Sequence, residues 1–345
     1  MPDILKISGR CGSRIADVNG VVKGNIQDVN NVGGFVADFL PLDTYTGAAV
    51  AYSVRLLRTA YTGAAMRVRR DTAGGTGDDD EADIAFDSGV ISLDSAISNA
   101  SAGVTATTLG QFLNVGTVGG TTYTNPDSLS VTATCLVDEW KDQSGNANDA
   151  EQTTFGNQPQ IHDGTVNTDL ITENGKPAIE WDGSNDYLET TSSIFSGTTA
   201  RSIFITGRDR SSTIDSTSGI ISPDVVNVGS GENYTITSEI ALRVTQFALF
   251  SDDFLSANLL LLTNIWASGN ATDADFYLNG TALSVDSGNS TVDLDTRDVN
   301  LLIGKTGYDN ATTSLTASEL IFWNTDQSSN RTNIECNING YFKIY

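Results

Sequence analysis

Apolar and polar positions alternate in short runs along most of this chain, and each run is closed by Gly, Asn, Asp or Ser. A period of two over four to eight residues marks a half-buried β-strand, and the turn residues between runs set hairpins. The pattern predicts strands at 66–70, 84–87, 129–134, 177–181, 202–206, 219–221, 239–244, 246–250, 259–266, 275–278, 299–303 and 320–323. Three stretches carry helical spacing instead: Val50, Val54, Leu57 and Tyr61; a turn at 109–113; and Ile334, Ile338 and Tyr341 before an aromatic tail. Regularly spaced strands of this kind predict an all-β fold, an antiparallel β-sandwich with a short helix near the start and a helix at the C-terminal end. The run from Trp140 to Ala150 is so dense in Ser, Gly, Asn and Asp that an ordered loop is expected there.

Residues 1–36 carry a repeat of period eleven. Ile4-x-x-Ile7-Ser8-Gly9, Ile15-x-x-Val18-Asn19-Gly20 and Ile26-x-x-Val29-Asn30-Asn31 superimpose position by position. A unit this small cannot bury its own apolar face, so it has to pack on a neighbour or on another chain. We therefore expect an attachment segment over 1–36, with Ile4, Ile7, Ile15, Val18, Ile26 and Val29 as its contact residues, ahead of one domain over 37–345. An ordinary hairpin of the main domain is the plainer reading of the same repeat. The 345 residues, 39% of them apolar, suffice for a sizeable core.

Charge narrows the partners. A formal net charge of −24 is unsuited to a nucleic-acid backbone or an anionic membrane surface, both of which are held by Lys/Arg patches. Arg55, Arg58, Arg67, Arg69 and Arg70 stand near Asp78-Asp79-Asp80-Glu81, and internal pairing is the expected use of both sets. Cys11, Cys135 and Cys336 have neither zinc-site spacing nor disulfide-scaffold density and are expected to be free thiols. The single histidine, His162, is expected on a surface loop, and its isolation disfavours Ser-His or Cys-His catalysis. The first residues lack the charged and apolar regions of a secretion signal, and no apolar run approaches a membrane span, so synthesis in a cytoplasm without a cleaved leader is expected.

Three blocks carry a resemblance. Trp140-Lys141-Asp142-Gln143-Ser144-Gly145-Asn146-Ala147-Asn148-Asp149-Ala150, then Gln158-Pro159-Gln160-Ile161, then Asn174-Gly175-Lys176-Pro177-Ala178-Ile179-Glu180-Trp181-Asp182-Gly183 resemble the concanavalin-like, laminin-G-like jelly-roll domains of phage structural proteins. Lys141 stands where those domains usually have Tyr, and Ala147 where they have a second Gly. The same Asp-Gln-Ser-Gly-Asn block resembles one in the catalytic domain of the α-L-arabinofuranosidase B family. The stretch from Tyr52 to Arg70, the hairpin Phe276-Tyr277-Leu278-Asn279-Gly280 followed by Leu301-Leu302-Ile303-Gly304, and the closing run from Ile334 to Tyr345 are similar to the same jelly rolls. What the resemblance implies is a jelly-roll subunit located in the virion of a tailed phage, as appendage, fibre or decoration protein. Its implied partners are other virion proteins through the N-terminal segment, further copies of itself, and a cell-surface glycan.

Such domains often hold carbohydrate by aromatic stacking, for which Trp181, Tyr187 and Trp266 are the candidates. Oxygens of Asp142, Asn146, Asn148 and Asp149 suit Ca²⁺, the one cofactor the sequence suggests. Asx-turn bonding and core packing are the plainer uses of these two sets. A retaining glycosidase needs two carboxyl groups about 5 Å apart. The arabinofuranosidase resemblance puts Asp309, within Gly304-Lys305-Thr306-Gly307-Tyr308-Asp309-Asn310, at the acid/base position and Glu239 at that of the nucleophile. The family's Gly-His-Met lead-in to the nucleophile is missing before Glu239. The expectation is therefore a non-enzymatic protein, with a retaining α-L-arabinofuranosidase-type hydrolase as the alternative.

Overall fold

The computed structural model describes residues 39–210, 219–223, 235–237, 241–243, 247–250, 258–269, 273–288, 296, 298–307 and 310–345, together with four two-residue strands between 17 and 33. The strands that place the site are β1 (Val50–Ser53), β2 (Met66–Asp71), β3 (Thr134–Trp140), β4 (Ala150–Glu151), β5 (Gln160–Asp163), β6 (Ile179–Asp182), β7 (Leu188–Thr190), β8 (Arg201–Asp209), β9 (Gly219–Pro223), β10 (Leu260–Trp266), β11 (Asp275–Leu278), β12 (Leu301–Ile303) and β13 (Ser314–Trp323). The helices are α1 (Pro41–Thr44), α2 (Leu109–Leu113) and α3 (Arg331–Phe342).

The fold is an all-β antiparallel sandwich built around β13. One edge of β13 pairs with β8; the other takes β6 against 314–317 and β1 against 319–322. From β8 the ladder continues through β10 to β11. From β6 it runs through β5 to β3, whose far edge takes β2. β4 and β7 then lead from β3 to β12 and β9. β8 and β13 are buried almost end to end, as expected of central strands covered on both faces, whereas β6 alternates buried and outward-facing positions. Their interior side chains meet in one core: Tyr52 packs on Trp140 at 5.7 Å, Trp140 on Trp181 at 6.5 Å and Phe204 on Trp323 at 5.6 Å between ring centroids.

Two features differ from the pattern in the sequence. The stretch expected as a helix from Val50 to Tyr61 enters the sheet as β1, with Val50, Tyr52, Val54 and Leu57 all fully buried. The edge of β13 supplies a ladder there, and β-branched and aromatic side chains suit that pleated surface better than a helix. The helix near the start is the single turn α1, opened by Pro41, whose fixed φ suits a first helical position. The strand expected over 129–134 begins at Thr134 and runs on to Trp140. Asn114 binds the carbonyls of Leu129 and Val131 with its side-chain amide and holds that lead-in as a loop.

Local chemistry explains the other boundaries. Asn279 and Gly280, with φ of 52° and 78°, make the tight turn between β11 and Thr281–Ala282, a two-residue hairpin turn that needs positive φ at both positions. α3 buries Ile334, Ile338 and Phe342 against the sandwich. Arg55 and Glu319 pair at 2.7 Å deep in the structure, supported by Ser53 and Asn337. Arg67 pairs with Glu81 and Asp83, Arg69 with Asp79 and Arg70 with Asp80, as expected, whereas Arg58 donates to the Ser144 carbonyl.

In the N-terminal region, Asp17–Val18 pairs with Val21–Val22, and Asp28–Val29 with Val32–Gly33. The second hairpin repeats the first eleven residues on. Among the described residues each pairs only within itself. Ile4, Ile7, Ile15 and Ile26 lie outside the described residues, and the side chains of Val18 and Val29 are likewise not described.

Candidate functional site

The loop from Lys141 to Asp149 is ordered, as expected, and its polar atoms are engaged in holding the sandwich. Asp142 Oδ1 accepts the Ala51 and Ser144 N–H groups at 2.9 and 2.8 Å, and Oδ2 accepts the Ser144 hydroxyl at 2.7 Å and the Asn148 N–H at 3.2 Å. Gln143 accepts the Leu57 N–H and donates to the carbonyls of Ser53 and Arg55. Asn146 donates to the carbonyls of Ala48 and Ala49, and Asn148 clamps Ser192 through both ends of its amide. Asp149 accepts the Asp142 N–H and takes Lys141 Nζ at 3.0 Å. The expectation of a Ca²⁺ shell from Asp142, Asn146, Asn148 and Asp149 is thereby corrected: Asp142 is saturated with donors, and the other three point to different partners. Ala147, where a Gly was expected, still has φ of 55°, a left-handed position that costs a residue with a Cβ about 1 kcal/mol.

Two of the three proposed stacking rings are also reassigned. Trp181 and Trp266 are completely buried: Trp181 lies between Trp140 and the backbone of Gly304, and Trp266 lies beneath the Arg201 guanidinium at 5.0 Å. Burying indole surface is strongly favourable, and the core takes both rings. Tyr187 stays half-exposed, with Lys305 Nζ 4.2 Å above its ring. Glu239 and Asp309 lie outside the described residues.

His162 is buried on β5 rather than placed on a surface loop. Its Nδ1 accepts the Gly164 N–H at 3.0 Å, which leaves the proton on Nε2 facing Thr168. Burial lowers its pKa below the usual imidazole value. Of the thiols, Cys135 is free and buried, whereas Cys336 is disulfide-bonded, contrary to the expectation of three free cysteines.

A cavity of about 430 Å³ opens beside this scaffold. One wall is Arg69 and Asp71 on β2 with Asp79 beside them; a second is the turn of Phe155, Gly156 and Gln158 leading to Gln160; a third is Asp182 and Asp186 in the loop after β6. Each wall is fixed by its own hydrogen bonds. Arg69 is buried, donates to Gln158 Oε1 at 2.8 Å, pairs with Asp79 at 2.5 Å, and lies 4.5 Å from the centre of the Phe155 ring. Gln158 in turn donates to Asp138 and to the Gln152 carbonyl. Asn185 ties the Asp182–Asp186 loop to the carbonyl of Gly156 and the side chain of Asn157.

The electrostatics of this cleft are unusual at Asp186. Burial, helped by the adjacent Asp182 carboxylate, pushes its carboxyl up to about 7, although its Oδ2 accepts the Asp182 N–H at 2.9 Å. Asp182 stays exposed and closes its own turn by accepting the N–H groups of Ser184 and Asn185. Behind the cleft Asp138, raised by burial to about 6, sits 3.8 Å from Arg67. Phe155 stays 47% exposed at the rim, so the cleft combines an open aromatic face with fixed amides and carboxyl groups. The sequence pattern passed over Phe155, Arg69 and Asp186. A lone aromatic inside the turn-forming run Thr154-Phe155-Gly156-Asn157 was the available signal.

No protein-family model matches the chain, and no curated protein matches it. Among solved structures it is similar to a glycoside hydrolase family 54 α-L-arabinofuranosidase soaked with 4-nitrophenyl α-L-arabinofuranoside, at 14% identity, over 87% of this chain and 65% of that one, with a TM-score of 0.55. It is similar also to an arabinofuranosidase complexed with arabinofuranosyl-α-1,2-xylobiose, at 15% identity, over 87% and 64% of the two chains, with a TM-score of 0.53. The chain thus spans a little under two thirds of the length of these enzymes. At such identity the likeness is one of fold: a β-sandwich of the arabinofuranosidase kind.

Proposed function

We propose that this chain is a non-enzymatic structural subunit of a tailed-phage particle whose sandwich holds a glycan in the cleft beside Phe155. The observation that carries the glycan reading is the cleft itself, where an exposed aromatic ring stands next to amide and carboxyl groups held in place by second bonds. Sugars are recognised by that combination of a flat apolar face and fixed polar partners. The non-enzymatic reading rests on the sequence around Glu239, where the Gly-His-Met lead-in of the arabinofuranosidase nucleophile is missing. The particle setting rests on the sequence resemblance and on the eleven-residue repeat, whose hairpins suit attachment.

Binding to a glycan array and turnover of aryl α-L-arabinofuranosides test the two halves of the reading together. We expect glycan retention by the wild-type protein, about tenfold weaker retention for Phe155→Ala, and no turnover. Turnover that disappears in Asp309→Asn would make the retaining hydrolase, with Glu239 and Asp309, the better reading. Peptide mass spectrometry of purified particles tests the setting, and absence of the chain from them would refute it.

A further inference from the structure

We propose that the cleft admits neutral or amine-bearing sugars and rejects acidic ones such as uronates and sialates, a selectivity that rests on the glycan reading of this cleft. Four carboxyl groups line it, from Asp71, Asp79, Asp182 and Asp186. Among the described residues that line it, Arg69 is the one cation, and its guanidinium is already engaged by Gln158, Asp79 and the Phe155 carbonyl, with the Phe155 ring against it. A sugar carboxylate entering here would have to displace Asp79 from a buried guanidinium while facing the other carboxyl groups. Both steps oppose binding.

Hydroxyl and ammonium groups meet the opposite situation. They donate, and the cleft lining offers carboxylate acceptors: Asp71, whose Oδ1 holds the Ala73 N–H, and Asp182, whose Oδ1 closes its own turn. The net charge of −24 acts in the same direction during approach, since it slows encounter with anions. Screening confines that long-range part to about 8 Å at physiological salt. Selectivity in the seated complex therefore belongs to the cleft aspartates.

The test is titration of the full chain with three probes at fixed physiological salt: arabinoxylan oligosaccharides as neutral, chitosan oligosaccharides as amine-bearing and oligogalacturonate as acidic ligands. The expected result is binding of the first two, with oligogalacturonate at least about tenfold weaker. In the double variant Asp71→Asn, Asp182→Asn the side-chain carbonyls still accept the Ala73, Ser184 and Asn185 N–H groups, so the turns are kept while two charges go. That variant should narrow the acidic-to-neutral ratio by about tenfold, with its unfolding transition confirming an intact fold. Oligogalacturonate bound as tightly as arabinoxylan, or a ratio unmoved in the variant, overturns the selectivity and leaves the glycan reading standing. Failure of all three probes to bind overturns both.

Discussion

Asp186 gives the clearest consequence of burial at a single residue. Its folded carboxyl titrates near 7, whereas in the unfolded chain it loses its proton near 4. The sign follows directly. The stability contributed by the protonated group is fully present below about pH 4, and it is lost progressively as pH rises to about 7, after which the loss is constant. Asp186→Asn removes the titration, and its side-chain carbonyl still accepts the Asp182 N–H. We expect this variant to match the wild type near pH 4 and to exceed it by about 2 kcal/mol or less at pH 8, read from urea melts at both pH values. A gain equal at the two pH values would show that burial of the charge is not its source. His162 acts with the opposite sign: its folded pKa is lowered, so the stability of the neutral buried ring is present above about 6.5 and is lost as pH falls.

Between elements, the loop of Lys141–Asp149 works as a staple, and its effect is measurable. Asp142→Ala leaves the buried N–H groups of Ala51 and Asn148 without an acceptor and frees the Ser144 turn. Each buried unsatisfied donor costs about 1–3 kcal/mol, so a loss of about 3 kcal/mol or more in the denaturant midpoint is expected. Gln143→Ala should cost about 2 kcal/mol for the Leu57 N–H it strands. If both variants unfolded within about 0.5 kcal/mol of the wild type, a range typical of surface positions, the loop would be ornament rather than staple. The sequence made this loop legible as ordered, because Ser, Gly, Asn and Asp announce turn bonding locally. It could not reveal which strands the bonds reach: Ala51 and Leu57 are separated from their partners by 91 and 86 residues. The same distance explains β1. Its helical spacing is local, whereas the edge of β13 that captures it, and Glu319 bound to Ser53, lie about 266 residues away. The cleft was illegible for a related reason. Arg69, Phe155, Gln158 and Asp186 come from separate segments, each with an ordinary residue in an ordinary turn or strand, and only the ladder through β5 and β6 brings them together. The Trp residues were legible as aromatic anchors, but their apolar area directs them inward.

For the molecule as a whole, the division we expect falls between the sandwich, whose ladders run out from β13, and the repeat over 1–36. The two described hairpins share a register eleven residues apart, and each pairs only two-residue strands, a ladder too short to stand alone. Their pairings stay within each hairpin, so among the described residues the sandwich draws no ladder bond from them. A protein of charge −24 also repels its own copies, so a contact that joins them must be local and apolar, as the Ile and Val positions of the repeat are. These three points predict that a chain beginning at Phe35 unfolds at the same denaturant concentration as the full chain but no longer self-associates or joins particles. The comparison is made with reductant in both samples, so that the disulfide at Cys336 does not enter. Sedimentation and reconstitution onto particles measure the second effect: normal assembly of the shortened chain would assign attachment to the sandwich instead, and a lowered unfolding midpoint would make the repeat part of its core.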